Sequence, residues 1–213
     1  MGLFFKTCKK KGHNCYGLEL NNIRRKYVND KLRINCYKEL NQLKNLKFNK
    51  IFLFYSLEYI KDPLNFLLKL KSYLLPKGEI IIYTPNKNDH VNSLFKLKEY
   101  ENFFYEENSI NYFSPKSFEK LCKKISRKYK IKVLQGYSLI NLINWYFHKK
   151  PFSSGYVGED KFIDEFISSI NIKKMKLKRE ELVLKKLIYK TNNYFKRFLE
   201  KNKIANIIVV KIQ

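Results

Sequence analysis

Residues 50–86 constrain the fold of this chain more than any other stretch. Apolar runs at residues 51–55 and 79–83 each predict a strand. Between them, an Asp-Pro pair at 62–63 opens a segment whose leucines recur at helical spacing, and the turn at 75–78 is predicted to end that helix. Two wholly apolar strands joined by a helix predict one βαβ unit of a parallel sheet that is covered on both faces.

Polar residues gather just past the carboxyl end of each predicted strand. Ser56, Glu58 and Tyr59 follow the first strand, and Asn86 follows the second. This edge is where open α/β sheets bind ligands, so we expect the functional site there. Glu58 and Tyr59 would bind a ligand or act as a general base, or Glu58 would simply lie at a helix start, as Asp62 does. Asn86 would hold a substrate or cap the turn that follows its strand.

The rest of the chain predicts one domain with further strands and helices. Strands are expected at residues 15–18, 32–36, 131–134 and 205–212, and helices at residues 2–11, 22–28, 115–125 and 139–147. Loop-forming residues near Pro151 mark the start of a helical insertion, residues 151–201, before the last strand. Within it, Phe162, Ile163, Phe166, Ile167 and Ile170 are expected to line one helix face.

Glu19 is a candidate nucleotide-binding residue at the end of the strand predicted for residues 15–18. In nucleotide-binding α/β folds an acidic residue at such a position accepts hydrogen bonds from both ribose hydroxyls. Glycine, here Gly2, lets the backbone approach the ligand closely. The alternative is an exposed carboxylate that merely ends a strand.

The three histidines predict no metal site. His13, His90 and His148 lie far apart in sequence and pair with no nearby cysteine, which is unlike a zinc-ligand pattern. His90 follows the strand that ends at Asn86, so it is held as a candidate catalytic base. Neither a phosphate-binding Walker loop nor a G-x-S-x-G motif is present.

The amino-acid composition indicates which kinds of binding partner to expect. The net charge is +25, with 44 Lys and Arg residues against 19 Asp and Glu. The charge is nearly all lysine, and the enrichment in Asn, Ile, Tyr and Phe is typical of an AT-rich coding bias. We therefore expect solvated lysine faces rather than a nucleic-acid surface, although the charge would favour an anionic substrate. Four cysteines without a C-x-x-C pair favour a reducing cytoplasm, and no apolar run is long enough for a membrane span.

These residues, in this order, resemble the class I S-adenosylmethionine-dependent methyltransferases, in the subgroup that contains sugar and surface-polysaccharide O-methyltransferases. The motifs are SLEYIKDP, LLPKGEIIIY and TPN, and two later family helices resemble FSPKSFEKL and LINLINWYFHKKP. The resemblance covers residues 2–151 and the final strand. It implies a Rossmann-like, mostly parallel sheet flanked by helices, with a helical insertion before the last strand.

The resemblance also implies roles at the cofactor site. The cofactor would be S-adenosylmethionine, with Glu19 on its ribose and Gly2 near its methionine end. Tyr55, Ser56 and Leu57 would line the cofactor pocket. The reaction would be in-line attack of a substrate hydroxyl on the sulfonium methyl, which depends on positioning more than on acid–base strength.

On the substrate side, Glu58, Tyr59 and His90 are the catalytic candidates, and Asn86 is the candidate for binding the substrate. The sequence departs from the family pattern at Tyr59, where the family usually has His. No Asp follows Cys36, where a carboxylate often contacts the adenine.

A larger departure lies at the amino terminus. The family's first strand and its Gly-x-Gly-x-Gly loop are expected before residue 1, and only Gly2 resembles the last glycine of that loop. The missing strand normally lies in the middle of the sheet, between the strands that end at Glu19 and Leu57. Its absence would expose two apolar strand edges.

The sequence thus predicts a truncated or mis-started methyltransferase that acts on a hydroxyl of a glycan or related small molecule. Truncation would reduce or abolish its activity. The alternative is a non-catalytic methyltransferase remnant that binds a partner, and the third hypothesis is a protein that binds or modifies nucleic acid.

Overall fold

The computed structural model describes residues 2–150 and 178–213, which form an α/β fold. Its helices are α1 (Gly2–Lys10), α2 (Asn22–Leu32), α3 (Pro63–Lys71), α4 (Lys98–Phe104), α5 (Pro115–Ile125), α6 (Leu139–His148) and α7 (Lys178–Lys201). Its strands are β1 (Tyr16–Leu18), β2 (Asn35–Tyr37), β3 (Phe48–Phe54), β4 (Leu74–Pro85), β5 (Tyr129–Leu134) and β6 (Ile207–Ile212). Short helical turns lie at Leu40–Leu43, Leu57–Tyr59 and Val91–Phe95, the last with π-helical hydrogen bonds.

The strands form two sheets. Strands β3, β4, β6 and β5 make a four-stranded sheet in that order, and β1 and β2 make a separate two-stranded sheet. The pairs β1–β2 and β3–β4 are parallel, whereas β6 runs antiparallel to both of its neighbours. Strand β5 therefore points the same way as β4. The predicted α/β class, with mostly parallel strands flanked by helices, is confirmed.

The division into two sheets falls between β1 and β3. Within the described residues, β3 pairs only with β4, so its other edge has no strand partner. The two sheets are nevertheless adjacent, because the rings of Tyr16 and Phe48 lie 5.7 Å apart, centroid to centroid. Helix α1 packs on β3 through Phe4, whose ring lies 4.8 Å from Phe52 and 4.9 Å from Phe54. The single sheet expected from the sequence is thus divided in two at this point.

The two-stranded sheet has its own small hydrophobic core. The buried members of that core come from α1, α2, β2 and the turn between the last two: Phe5, Val28, Leu32, Ile34 and Cys36. The outer edge of β2 is covered by a side chain, since Asn29 donates to the Cys36 carbonyl at 3.1 Å and accepts from its N–H at 2.8 Å. The Asn29 side chain therefore satisfies the backbone groups of Cys36 that a neighbouring strand would otherwise pair with.

The larger core lies against the four-stranded sheet. Ile80 and Ile82 of β4 and Ile208 of β6 are completely buried there. Helix α5 covers this core because its apolar residues recur on one face, and Phe118 and Cys122 are completely buried. Helix α5 begins as the sequence predicts, with the Ser114 side chain accepting from the Ser117 N–H and Pro115 in the first turn.

Helix α3 ends earlier than predicted. The sequence suggests a helix that continues to the turn at residues 75–78, but α3 ends at Lys71 and β4 already begins at Leu74. Leu74 pairs with Phe48 of β3, and the next pair is Lys50 with Glu79, so the residues between them bulge out of the ladder. Strand pairing with β3 therefore outweighs the helical spacing of the leucines.

The helical insertion is described only in part. Helix α7 occupies the end of the predicted insertion, and Leu199 packs in the larger core. The helix expected around Phe162, Ile163, Phe166, Ile167 and Ile170, and the boundary near Pro151, lie outside the described residues. The last strand returns to the sheet as β6, between β4 and β5.

Candidate functional site

Glu19 lies at the corner between β1 and α2. Its backbone N–H donates to the Tyr37 carbonyl at 2.9 Å, which extends the ladder between β1 and β2 by one hydrogen bond. One carboxylate oxygen, Oε1, accepts from the Asn21 N–H at 3.0 Å. Asn21 in turn caps α2, because its Oδ1 accepts from the Arg24 N–H. The carboxylate is therefore held at the carboxyl end of β1, as the sequence predicts.

Gly2 begins α1, so the free N–H groups of the first helical turn lie beside it. A Cβ added to Gly2 would meet nothing closer than the Tyr27 ring at 3.7 Å. No protein contact among the described residues therefore requires glycine here. The role predicted for Gly2 in cofactor binding stays a prediction.

The corner after β3 contains three of the predicted cofactor residues. Tyr55 adopts a left-handed backbone conformation with φ 47°, which is strained for a non-glycine residue and is common at functional sites. Its N–H donates to the Tyr83 carbonyl, so β3 and β4 end side by side. The Ser56 hydroxyl donates to the Phe54 carbonyl at 2.8 Å. Leu57 is completely buried in the larger core, and its carbonyl accepts from the Ile60 N–H, so its role in lining the cofactor pocket stays a prediction.

Glu58 is buried and tied to its surroundings. The Thr84 hydroxyl donates to Glu58 Oε2 at 3.3 Å, and burial raises the pKa of the Glu58 carboxyl. The Glu58 carbonyl accepts the N–H groups of Ile110 and Asn111, both at 2.9 Å. The Glu58 carboxylate is therefore a stronger base than an ordinary carboxylate, which suits the role of a general base.

Tyr59 differs from its neighbour because it is partly exposed. Its hydroxyl donates to Glu106 Oε2 at 3.0 Å. Partial burial, followed by this carboxylate, raises the pKa of the Tyr59 hydroxyl. Tyr59 therefore remains a neutral hydrogen-bonding group at physiological pH.

Asn86 uses its side chain inside the protein. It is completely buried, and its amide donates to the carbonyls of Ala205 at 2.7 Å and Lys203 at 3.3 Å. Its Oδ1 accepts from the Asn88 N–H at 3.1 Å, which is the turn-capping alternative. These contacts join the end of β4 to the chain entering β6. Substrate binding by Asn86 stays a prediction.

His90 carries a buried nitrogen without a partner. It is 2% exposed, its ring lies edge-on to Phe195, and Nδ1 forms no hydrogen bond with any of the described residues. The ring does bond the Ile204 carbonyl, so by elimination Nε2 carries the proton and donates it. Burial lowers the pKa of His90 to about 4, so the ring is neutral at pH 7. Nδ1 is therefore a hydrogen-bond acceptor that has no donor among the described residues.

Sequence reasoning missed Asp89, which lies beside His90. Asp89 is completely buried, accepting from the Tyr100 hydroxyl at 2.5 Å and from the Asn92 N–H at 2.8 Å. Burial raises the pKa of Asp89 to about 6. Tyr100 packs edge-on against Trp145, so Asp89 anchors the aromatic segment of α4 and α6 over the end of β4. The available signal was a carboxylate in the turn that follows β4.

The structure brings Ser56, Glu58, Asn86 and His90 to the ends of two paired parallel strands. Glu19 follows β1, in the neighbouring sheet, and ribose binding by Glu19 stays a prediction. Among residues 2–150 and 178–213, no group of three or more His, Cys, Asp or Glu side chains could hold a metal ion. None of the helices described is both long and apolar enough to cross a membrane.

Comparisons with known proteins identify the family and the fold. Residues 1–125 match the model of a family described as a methyltransferase domain. The chain belongs to this methyltransferase-domain family, whose methyl donor is S-adenosylmethionine. A search of curated proteins finds no match.

Solved structures share the fold. A SAM-dependent methyltransferase from Archaeoglobus fulgidus is 17% identical, with a TM-score of 0.53, over 100% of this chain and 81% of that one. The plantazolicin methyltransferase BpumL, in complex with a triazolic desmethylPZN analogue and SAH, is 17% identical, with a TM-score of 0.52, over 98% of this chain and 70% of that one. A methyltransferase of an antibiotic biosynthesis pathway from Anabaena variabilis is 11% identical, with a TM-score of 0.51, over 100% and 87%. At these identities the likeness establishes the fold alone.

Proposed function

We propose that this chain is an S-adenosylmethionine-dependent methyltransferase that methylates a hydroxyl of a glycan or a related small molecule. The observation that carries the proposal is the edge where β3 and β4 end. There Glu58 is buried with a raised pKa, and His90 presents an unpartnered, buried Nδ1. An open α/β sheet binds its ligand at this edge.

The residues present suit the chemical groups of the cofactor. The Glu19 carboxylate would accept hydrogen bonds from the two ribose hydroxyls. The N–H groups of the first turn of α1, beginning at Gly2, would bind the carboxylate of the methionine end. Tyr55, Ser56 and Leu57 would border the cofactor. When bound, the cofactor supplies an electrophilic methyl group on a sulfonium sulfur.

The acceptor would bind on the side of His90. Its Nδ1 can accept a hydrogen bond only, so it would orient a hydroxyl by taking its proton in a hydrogen bond. When the hydroxyl is methylated its proton becomes strongly acidic, and His90 or Glu58 would accept that proton. A weak base is sufficient for this step because positioning dominates the rate. Tyr59 and Asn86 are the remaining candidates for holding the acceptor.

We propose that the acceptor is anionic and that the protein is located in the cytoplasm. The net charge of +25 supports attraction of an anionic glycan precursor. All four cysteines are free, which supports a reducing compartment. We expect the lysines to be dispersed rather than gathered in one groove. A steep salt dependence of binding to random RNA or DNA would instead support the nucleic-acid hypothesis.

We also propose that residues 1–213 alone bind S-adenosylmethionine weakly, because the sheet is divided next to the cofactor site. A strand with a glycine-rich loop between β1 and β3 would supply close backbone contacts and hold Glu19 in place. Hydrogen bonds to charged groups contribute about 1.5–3 kcal/mol each. The lack of two such contacts would weaken binding by about a hundredfold or more.

The experiment is calorimetric titration of S-adenosylmethionine into residues 1–213 and into the same chain extended at its amino end. The extension is the upstream in-frame sequence or, as a matched test, the first strand and loop of the Archaeoglobus fulgidus neighbour. We expect about a hundredfold tighter binding in the extended chain. Equal micromolar affinity in both chains would contradict the role given to the added strand.

Methyl transfer is tested in the extended chain with radiolabelled methyl donor and a panel of hydroxylated glycan acceptors. Transfer that is lost on Glu19→Gln but retained on Glu79→Gln supports the proposal, since Glu79 lies at the opposite, amino end of the β3–β4 ladder, beside Lys50. Absence of cofactor binding in both chains would favour the second candidate, a non-catalytic remnant. The divided sheet is the observation that favours that candidate.

A further inference from the structure

The corner that carries Glu19 is held from the far side by an arginine. Arg25 lies in the first turn of α2, and its guanidinium turns back toward β1. Nη1 donates to the carbonyls of Glu19 at 2.9 Å and Leu20 at 3.0 Å, and Nη2 donates to Asn22 Oδ1 at 2.9 Å. One side chain thus bonds two consecutive carbonyls of the corner and the first residue of the helix.

These contacts are not those of an ordinary helix cap. Asn21 already caps α2, and the first turn of α2 contains no acidic residue. A cation near a helix N-terminus opposes the helix dipole, so Arg25 does not serve the helix by its charge. Its hydrogen bonds go to the corner instead, where a charged donor bonds more strongly than a neutral one.

The corner needs such support because little else holds it. Strands β1 and β2 have three residues each, and Leu20 is 75% exposed. The Glu19 N–H is fixed by Tyr37 and its carbonyl by Arg25, so both sides of the residue are restrained. The direction of the Glu19 carboxylate follows from this restraint together with its hydrogen bond from Asn21.

We infer that Arg25 is a positioning residue that fixes the Glu19 carboxylate for the ribose hydroxyls of the cofactor. This inference rests on the proposed function, in which Glu19 binds the ribose. It assigns to Arg25 a role that acts only through Glu19. A purely structural arginine would instead stabilise α2 without any energetic coupling between Arg25 and Glu19 in ligand binding.

The test is a double-mutant cycle in the full chain. S-Adenosylhomocysteine is titrated to millimolar concentration, and binding is followed by shifts of the amide signals in two-dimensional NMR, which measure weak affinities. The variants are Arg25→Ala, Glu19→Gln and the double variant. Arg24→Ala is the matched control, because Arg24 is the neighbouring, exposed arginine of the same helix. Arg25→Gln keeps neutral donors and Arg25→Lys keeps the charge, so folded variants remain if Arg25→Ala unfolds.

We expect Arg25→Ala to weaken binding about tenfold, as the loss of one charged hydrogen-bonding group would. In the Glu19→Gln background the same substitution should weaken binding less than about twofold, because the group it positions is gone. Arg25→Lys should recover part of the loss, and Arg24→Ala should change binding less than about twofold.

Two outcomes overturn the inference, and they are distinguishable. If the unsubstituted chain binds but Arg25→Ala leaves its affinity unchanged, or weakens it equally with and without Glu19, the inference alone fails. If the unsubstituted chain and its extended form show no binding at all, the proposed function fails and the inference fails with it.

Discussion

The two sheets of this protein are neighbours, yet they are held together by different means. In the four-stranded sheet, apolar side chains from β4 and β6 are completely buried, among them Ile80, Ile82 and Val210. Burial of this kind contributes about 1.5–3 kcal/mol for each large side chain. In the two-stranded sheet, short strands are supplemented by hydrogen bonds from Asn29 and Arg25 to the backbone.

This difference indicates which of the two sheets would be stable without the other. An isolated pair of strands is marginally stable in water, whereas a sheet of three or more strands with a packed face is stable. The smaller sheet therefore depends on α1 and on the larger sheet beside it. Because Glu19 lies on the smaller sheet, the part of the site proposed to bind the cofactor is expected to open first.

The largest expected effect comes from the core of the larger sheet. Phe118 is completely buried, and its ring lies 4.6 Å from that of Phe113. Phe118→Ala should lower the free energy of unfolding by about 3–5 kcal/mol, because it removes buried apolar surface and leaves a cavity. Urea denaturation followed by circular dichroism measures the loss, and the smaller sheet should unfold with the larger one.

The control is Phe198→Ala in α7, where the side chain is 59% exposed. It should change the free energy of unfolding by less than about 0.5 kcal/mol. Equal effects from the two substitutions would show that the larger core does not dominate stability.

The second effect concerns Asp89 and His90, which lie in the segment that follows β4 of the larger sheet. The pKa of Asp89 is raised to about 6, so its contribution to stability falls as the pH rises from about 4 to about 6. The pKa of His90 is lowered to about 4, so its contribution rises with pH from about 4 to about 6.5. Each group changes the free energy of unfolding by about 3 kcal/mol over its pH range. Between pH 4 and pH 6 the two changes have opposite signs.

Substitution should separate the two slopes. Asp89→Asn should leave an unfolding free energy that increases steeply from pH 4 to pH 6.5, and His90→Gln should leave one that decreases from pH 4 to pH 6. Urea denaturation at half-unit pH steps measures both, with the unsubstituted chain as the reference. Parallel pH profiles in all three proteins would contradict the titration of both groups in this range.

The third effect isolates the smaller sheet. A Cβ on Gly17 would lie 2.7 Å from the Cys36 sulfur and 3.2 Å from the Phe5 ring. Gly17→Ala should therefore destabilise this sheet by about 1–3 kcal/mol through overpacking. Hydrogen exchange should speed up at the amides of β1 and β2 and remain unchanged in β4.

A second substitution sharpens this result. Cys36→Ala removes the sulfur that the new methyl group meets, so the double variant should recover part of the lost protection. Gly2→Ala is the matched control, since its Cβ would meet nothing closer than 3.7 Å. If β4 exchanges as fast as β1 in Gly17→Ala, the two sheets open as one unit.

The smallest effect tests the side-chain edge of β2. Asn29→Ala removes two hydrogen bonds to the Cys36 backbone and should cost about 1–2 kcal/mol, seen as faster exchange of the Cys36 amide. Asn49→Ala, at an exposed position of β3, should cost less than about 0.5 kcal/mol. A protected Cys36 amide in Asn29→Ala would show that another group covers this edge.

The sequence could predict elements whose signals are local. Helix α5 begins at the expected cap, and Phe118 and Cys122 lie on its buried face, because capping and periodicity act within a few residues. The carboxyl edge carrying Ser56 and His90 was also predicted from the order of strands along the chain. The predicted end of α3 was wrong, because the pairing of Leu74 with β3 acts across the fold and overrides the helical spacing of the leucines.

Tertiary structure alone decided the remaining features of the site. The chain places Tyr100 well after Asp89, and only folding buries both and joins them by a hydrogen bond. Likewise, the sequence gives Arg25 as one basic residue among many, and only the turn of its side chain shows that it holds Glu19. Burial, pKa and long-range hydrogen bonds depend on which segments meet in space, and local residue patterns do not encode those meetings.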